Sequence, residues 1–189
     1  MSRGLRALCF LLLLSATLAA QERAIDPPRS TVTVHVGKAG VFSAFGHGHE
    51  VRGPIAQGSV DASGADPKVE VLVRAADLKV LDPDLKPADR AEVQSTMLGP
   101  KVLDAERFPD IRFRSTRAQR EGDGWKIEGE LTLHGETHPV MVRAREAAGH
   151  YTASANFRQT TFGITPVTAG GGGVKVKDEL QLDFSIALR

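Results

Sequence analysis

The sequence predicts an all-β chain, an antiparallel β-barrel of about eight strands with one short helical insertion. Three observations predict it. Apolar and polar residues alternate with period two through most of the chain. Short turn-forming clusters separate the alternating runs, and a single segment carries helical start and stop signals. Consecutive strands joined by short loops must be antiparallel, because a parallel pair needs a long crossover. An open sheet of that size would leave two exposed edges and an uncovered face, and closing it removes both. A two-sheet sandwich is the competing architecture.

The first 20 of the 189 residues are unlike the rest. Arg3 and Arg6 give a positive start, an apolar stretch runs from Ala7 to Leu14, and small residues follow from Ser15 to Ala20. That is the pattern of a secretory signal peptide cleaved after Ala19 or Ala20. The apolar run falls short of the roughly 20 residues that span a bilayer, so no stable membrane span is expected. Cys9 is the only cysteine and leaves with the signal, so the mature chain carries no disulfide and no thiol chemistry. Of 24 basic and 23 acidic residues, losing Arg3 and Arg6 leaves 22 against 23. That balance, with no basic run, argues against nucleic acid as a partner. Residues 21–30, with Pro27-Pro28, read as an exposed lead-in, and residues 31–189 as the barrel domain.

The strands follow in order. Val32, Val34 and Val36 alternate with Thr33 and His35. Val69, Val71 and Val73 alternate with Glu70, Leu72 and Arg74. Ile111 and Phe113 alternate with arginines. Leu131 and Leu133 follow, then Val140, Val142 and Ala144, then Tyr151, Ala153, Ala155 and Phe157. The last strand is the clearest, with Leu180, Leu182, Phe184, Ile186 and Leu188 on one face. Ser63 to Pro67, Glu121 to Gly124, His134 to His138 and Ala148-Gly149 are its turn signals. Pro87 to Leu98 reads as a helix, because Pro87 suits a first helical position, Asp89 and Glu92 suit the N-terminal end, and Gly99-Pro100 stops it.

Three motifs then carry a family likeness. They are Phe108-Pro109-Asp110-Ile111-Arg112-Phe113-Arg114-Ser115, Gly129-Glu130-Leu131-Thr132 through Gly135, Thr137 and Pro139, and Arg158 through Phe162-Gly163-Ile164. In this order and spacing the chain resembles the YceI-like family of exported, lipocalin-like polyisoprenoid-binding proteins. The resemblance covers about residues 30 to 189. It implies an extended lipocalin-like barrel, a periplasmic location, and a long isoprenoid or quinone-like amphiphile held as a ligand. It implies no catalysis and no cofactor. Where the family places aromatic residues near the end of the helix, this chain has Met97-Leu98-Gly99-Pro100-Lys101-Val102-Leu103, which implies a channel of different shape.

The residues support that reading on their own chemistry. A barrel lined by Val, Leu, Ile and Phe suits a prenyl chain, at about 0.8 kcal/mol per buried CH₂. Met97, Phe108, Phe113, Phe157 and Phe162 are candidate contacts for a flexible tail, although for any one of them filling the core is the plainer role. The cluster Phe45-Gly46-His47-Gly48-His49-Glu50 is the most unusual local feature. Its imidazoles have three readings: hydrogen bonding in a Gly-rich bend, contact with a ligand head group, or a metal site of His47 and His49 with His35. Arg158 pairs with Asp183 or Glu179, or receives an anionic head group. Gly170 to Gly173 lacks the lysine and the strand-to-helix context of a phosphate loop. With no nucleophile elbow, no cysteine and no arranged acid–base pair, the chain is not expected to be an enzyme, and the alternatives to a carrier are a periplasmic metal-binding protein using His47 and His49 or a filled-barrel stress or interaction protein. Its oligomeric state is open, a homodimer being compatible with it.

Overall fold

The computed structural model describes residues 22–39, 48–62, 67–169 and 174–189. The signal-like residues 1–20, Phe45, His47 and the Gly170–Gly173 tip lie outside the described residues. The elements are β1 (Arg23–Ala24), β2 (Thr31–Ala39), β3 (His49–Pro54), β4 (Gln57–Asp61), β5 (Lys68–Arg74) and β6 (Lys79–Val80). Helix α1 (Pro87–Leu98) follows. Then come β7 (Asp110–Glu121), β8 (Gly124–Leu133), β9 (Glu136–Ala147), β10 (His150–Arg158), β11 (Thr168–Ala169) and β12 (Val174–Ala187). The helix has the bounds its start and stop signals predict.

Every strand pairing among the described residues is antiparallel. The expectation of about eight strands meets a sheet of 12, and broken strands account for most of the difference. A 3-10 turn at Pro27–Arg29 separates β1 from β2, Ile55-Ala56 separates β3 from β4, and a second 3-10 turn at Ala75–Asp77 separates β5 from β6. The halves of each broken strand keep the same neighbours: β2 pairs β3 and β1 pairs β4, while β4 pairs β5 and β3 pairs β6. With β7, β8, β9, β10 and β12 the chain therefore runs as eight long antiparallel staves. The ring closes where β12 pairs β2, from Leu180↔Val36 to Ser185↔Thr31, and where Ile25 bridges Leu188. Closure leaves the apolar stripe one shared interior. Tight hairpins join successive staves. Residues His134-Gly135 (φ 53 and 81) and Ala148-Gly149 (φ 53 and 77) turn with positive φ at both positions, the geometry whose twist matches the flanking strands.

Residues 23–30 depart from the expected exposed lead-in. Ile25 is 2% exposed and Ser30 0%, and the Ser30 hydroxyl accepts the Ala187 N–H at 3.0 Å. Pro27 and Pro28 form the 3-10 turn that lets this segment leave β4 for β3, so their lack of N–H donors marks a break in a stave rather than a tail.

One end of the barrel is filled. Trp125 packs on a cluster of Ala118, Ile127, Val142, Ala144 and Ala155, and the Arg120 guanidinium lies 4.3 Å over its ring. Small alanines opposite one large ring satisfy the interior volume. Helix α1 sits at the other end and buries no residue fully. It is tied by Gln94, whose side chain accepts the Val80 N–H and donates to the Leu78 carbonyl, both at 2.8 Å. That amide occupies the hydrogen-bonding edge of β6 where a neighbouring strand would otherwise lie.

Candidate functional site: a cavity under the helix

The interior between the filled end and α1 is hollow. A cavity of about 1120 Å³ is walled by Val32, Val34, Val36, Val51, Val71, Val73 and Val80 on one side. Ile111, Phe113, Leu131, Phe157, Leu182 and Phe184 wall the other. The ladder explains why these residues point inward together. Residues directly opposite in an antiparallel pair share a face, and Val34 faces Leu182 and Val51, which in turn faces Val80. Valine at so many positions of one wall leaves space that leucine or phenylalanine would fill. The volume lies just above the range of roughly 300–1,000 Å³ for pockets that take small organic ligands.

At the helix end the lining changes character. Val93 and Met97 of α1 and Val102 and Leu103 roof the cavity, and the exposed Asp89, Glu92, Pro100 and Lys101 join Lys38 at its rim. Gln159, 5% exposed, lines it as well and donates to the Lys177 carbonyl at 2.8 Å. Next to it the Asp178 carboxylate accepts both the N–H and the hydroxyl of Thr160, at 2.9 and 2.8 Å. The Thr160 N–H holds that carboxyl below its ordinary value.

Of the sequence candidates, Met97, Phe113, Phe157 and His49 line the cavity. Phe108 and Phe162 do not. Phe162 is 0% exposed and packs edge-on to Phe157 and His138, with centroids 5.1 and 5.3 Å apart. Phe108 stands edge-on to His134 at 5.1 Å, its ring pressed against Gly135. His134 Nδ1 in turn donates to the Phe162 carbonyl at 3.2 Å. The three family motifs thus meet in one packed corner beside the cavity, so two of the expected ligand contacts are structural. Gly129 belongs to the same logic, since a side chain there would strike the Phe113 ring at 2.5 Å. Arg158 is exposed on the outer face, because Phe157 before it points in.

The histidine cluster also divides by face. Val36, on the cavity wall, stands opposite His49, whereas His35 stands opposite Glu50. His35 therefore points outward and bonds Asp183 at 2.9 Å. His35 and His49 cannot converge on one ion, which removes the three-histidine metal site. Among the described residues no group of three His, Cys, Asp or Glu side chains is placed to hold a metal. His49 has a partner that its sequence neighbourhood does not announce. Its Nδ1 hydrogen-bonds the Asp82 carboxylate, whose other oxygen accepts the Glu50 N–H at 2.8 Å. The Asp82 side chain is only 9% exposed.

Comparison with known proteins gives a uniform result. The sequence pattern described as the YceI-like domain matches residues 24–188. A UPF0312 protein of Photorhabdus laumondii is 27% identical over 146 residues, covering 75% of this chain and 69% of that protein. A UPF0312 protein of Yersinia pestis is 35% identical over 57 residues, 30% of each chain. Among solved structures, Burkholderia cenocepacia BcnA superposes with a TM-score of 0.62 at 17% identity, covering 86% of this chain and 98% of that one. The Campylobacter jejuni YCEI protein superposes with a TM-score of 0.53 at 16% identity, covering 72% and 84%. At these identities the structural likeness speaks for the fold alone.

Proposed function

Because the chain belongs to the YceI-like domain family, we propose that it is an exported, non-enzymatic carrier that holds a long isoprenoid or quinone-like amphiphile inside its barrel. The single observation that carries this reading is the cavity of about 1120 Å³, apolar along its walls and polar only at the helix end. A chain threaded from the rim toward Phe113 and Phe184 would leave water for valine, leucine and phenylalanine. Ten buried methylene-sized carbons contribute about 8 kcal/mol before the cost of ordering the chain. The polar rim suits the other half of an amphiphile, which stays near solvent. Export rests on Arg3, Arg6 and the apolar run that follows. No helix among the described residues is long and apolar enough to cross a membrane.

The test is mass spectrometry of an organic extract from protein isolated from its native compartment without detergent. A long-chain species at near one-to-one stoichiometry is the expected result. Protein that is empty on isolation, and that fails to take up a fluorescent prenyl-chain analogue, refutes the carrier reading.

A further inference from the structure

The His49–Asp82 pair is a part-buried polar device at the cavity wall that the apolar-chain reading leaves unused. Asp82 comes from the segment leading into α1 and His49 from the first position of β3, so the pair joins the helix approach to the wall. Acceptor counting fixes the hydrogen on His49 Nδ1. Both Asp82 oxygens are engaged, one by the Glu50 N–H and the other by His49 Nδ1. An ionised carboxylate only accepts, so Nδ1 must carry a hydrogen. In the neutral ring Nε2 is then bare, a hydrogen-bond acceptor without a partner among the described residues, whereas a protonated ring would donate from both nitrogens. The rim around it is electrically balanced, Lys38 and Lys101 standing against Asp89 and Glu92. Such a rim gives a polyanionic head group no net attraction.

We infer that His49, oriented by Asp82, is a head-group subsite that prefers a neutral ligand bearing a hydroxyl donor to the same ligand bearing a carbonyl. For a redox-active head group it would therefore hold the reduced, hydroxyl form more tightly than the oxidised one. The inference rests on the carrier reading and adds to it the chemistry of the polar end. His49 is a positioning and recognition residue here and transfers no proton.

The test compares two probes with the same long alkyl tail, a 4-alkylphenol and the matching alkyl aryl ketone, by calorimetric titration of the delipidated protein at about pH 8.5, about two units above the ordinary imidazole value. The wild type should bind the phenol roughly three- to tenfold more tightly, the worth of one buried hydrogen bond. His49→Leu should bring the ratio to about one while leaving ketone affinity in place. Asp82→Asn makes the sharper test. The amide oxygen must still accept the Glu50 N–H, so its NH₂ faces Nδ1 and forces the hydrogen onto Nε2. The ratio should then fall to one or below, an inversion that loosened packing would not produce. A wild-type ratio near one, or one unchanged in both variants, overturns the subsite and leaves the carrier reading standing. Failure of the wild type to bind either probe overturns both.

Discussion

Val34→Phe separates a hollow barrel from a filled one. Val34 points into the cavity between Leu182 and Val51. Phenylalanine adds four carbons beyond valine, and a space of about 1120 Å³ takes them without displacing a neighbour. The variant should therefore melt at or slightly above the wild-type temperature. The added carbons also occupy ligand volume. Four methylene-sized groups denied to a bound chain cost about 3 kcal/mol, roughly a hundredfold in affinity. Val142→Phe is the matched control. Val142 lies on the same ring of inward residues, reached through Ala155 and Leu182, but belongs to the packed cluster of Ile127, Ala144 and Ala155. Overpacking there should destabilise by about 1–3 kcal/mol. Urea unfolding of both variants and titration with a fluorescent prenyl-chain analogue read the two effects. Equal destabilisation by both substitutions would refute the hollow-barrel argument.

Three further outcomes follow from the geometry. Gln94→Ala removes the two bonds that tie α1 to Leu78 and Val80 and should lower stability by about 1–3 kcal/mol while speeding ligand release, measured by stopped-flow displacement. Gly129→Ala places a methyl group against the Phe113 ring and the Arg114 carbonyl, and should destabilise by about 1–3 kcal/mol in denaturant titration. Asp178→Asn tests the acid limb of stability. The Asp178 carboxyl is held below its ordinary 3.8, so its contribution is present above that value and is lost as the pH falls through the lower folded value. The variant should melt lower at pH 7 and lose less on acidification below pH 4.

The barrel was legible because its signals are local. Alternation from Leu180 to Leu188 and the stop at Gly99-Pro100 depend only on neighbours along the chain. The stave breaks were not legible, since nothing in Ile55-Ala56 or Ala75–Asp77 departs from ordinary strand or loop composition. Residues 23–30 read as a tail because two prolines and several charges mark a turn and a terminus alike. Among the candidates, the inward register of Phe113 and Phe157 followed from alternation. Whether an inward aromatic meets a ligand or another ring is decided by residues far off in sequence, and Phe162 finds Phe157 and His138 instead. His49 stands out by its local pattern, but its partner lies 33 residues away. The face split between His35 and His49 was not legible, because the two lie on different strands and only the register across the intervening bend, Val36 opposite His49, decides it.

The seam at Ile25 and Leu188 bears on how the molecule comes into being. Arg189 N–H bonds the Ala24 carbonyl at 2.9 Å and Asp26 N–H bonds the Ala187 carbonyl at 2.8 Å, so the segment that opens the barrel is joined to the one that ends it. Until β12 has emerged, β2 and β10 each present an unpaired edge and the hollow interior lies open along its side. Contacts of such sequence separation form late and slowly. A growing chain therefore spends its early life as an incomplete sheet with unpaired margins, exposed to aggregation. For the proposed carrier, uptake of a ligand and completion of the wall are separate events in time, and their order decides whether the ligand is enclosed during folding or admitted afterwards past α1.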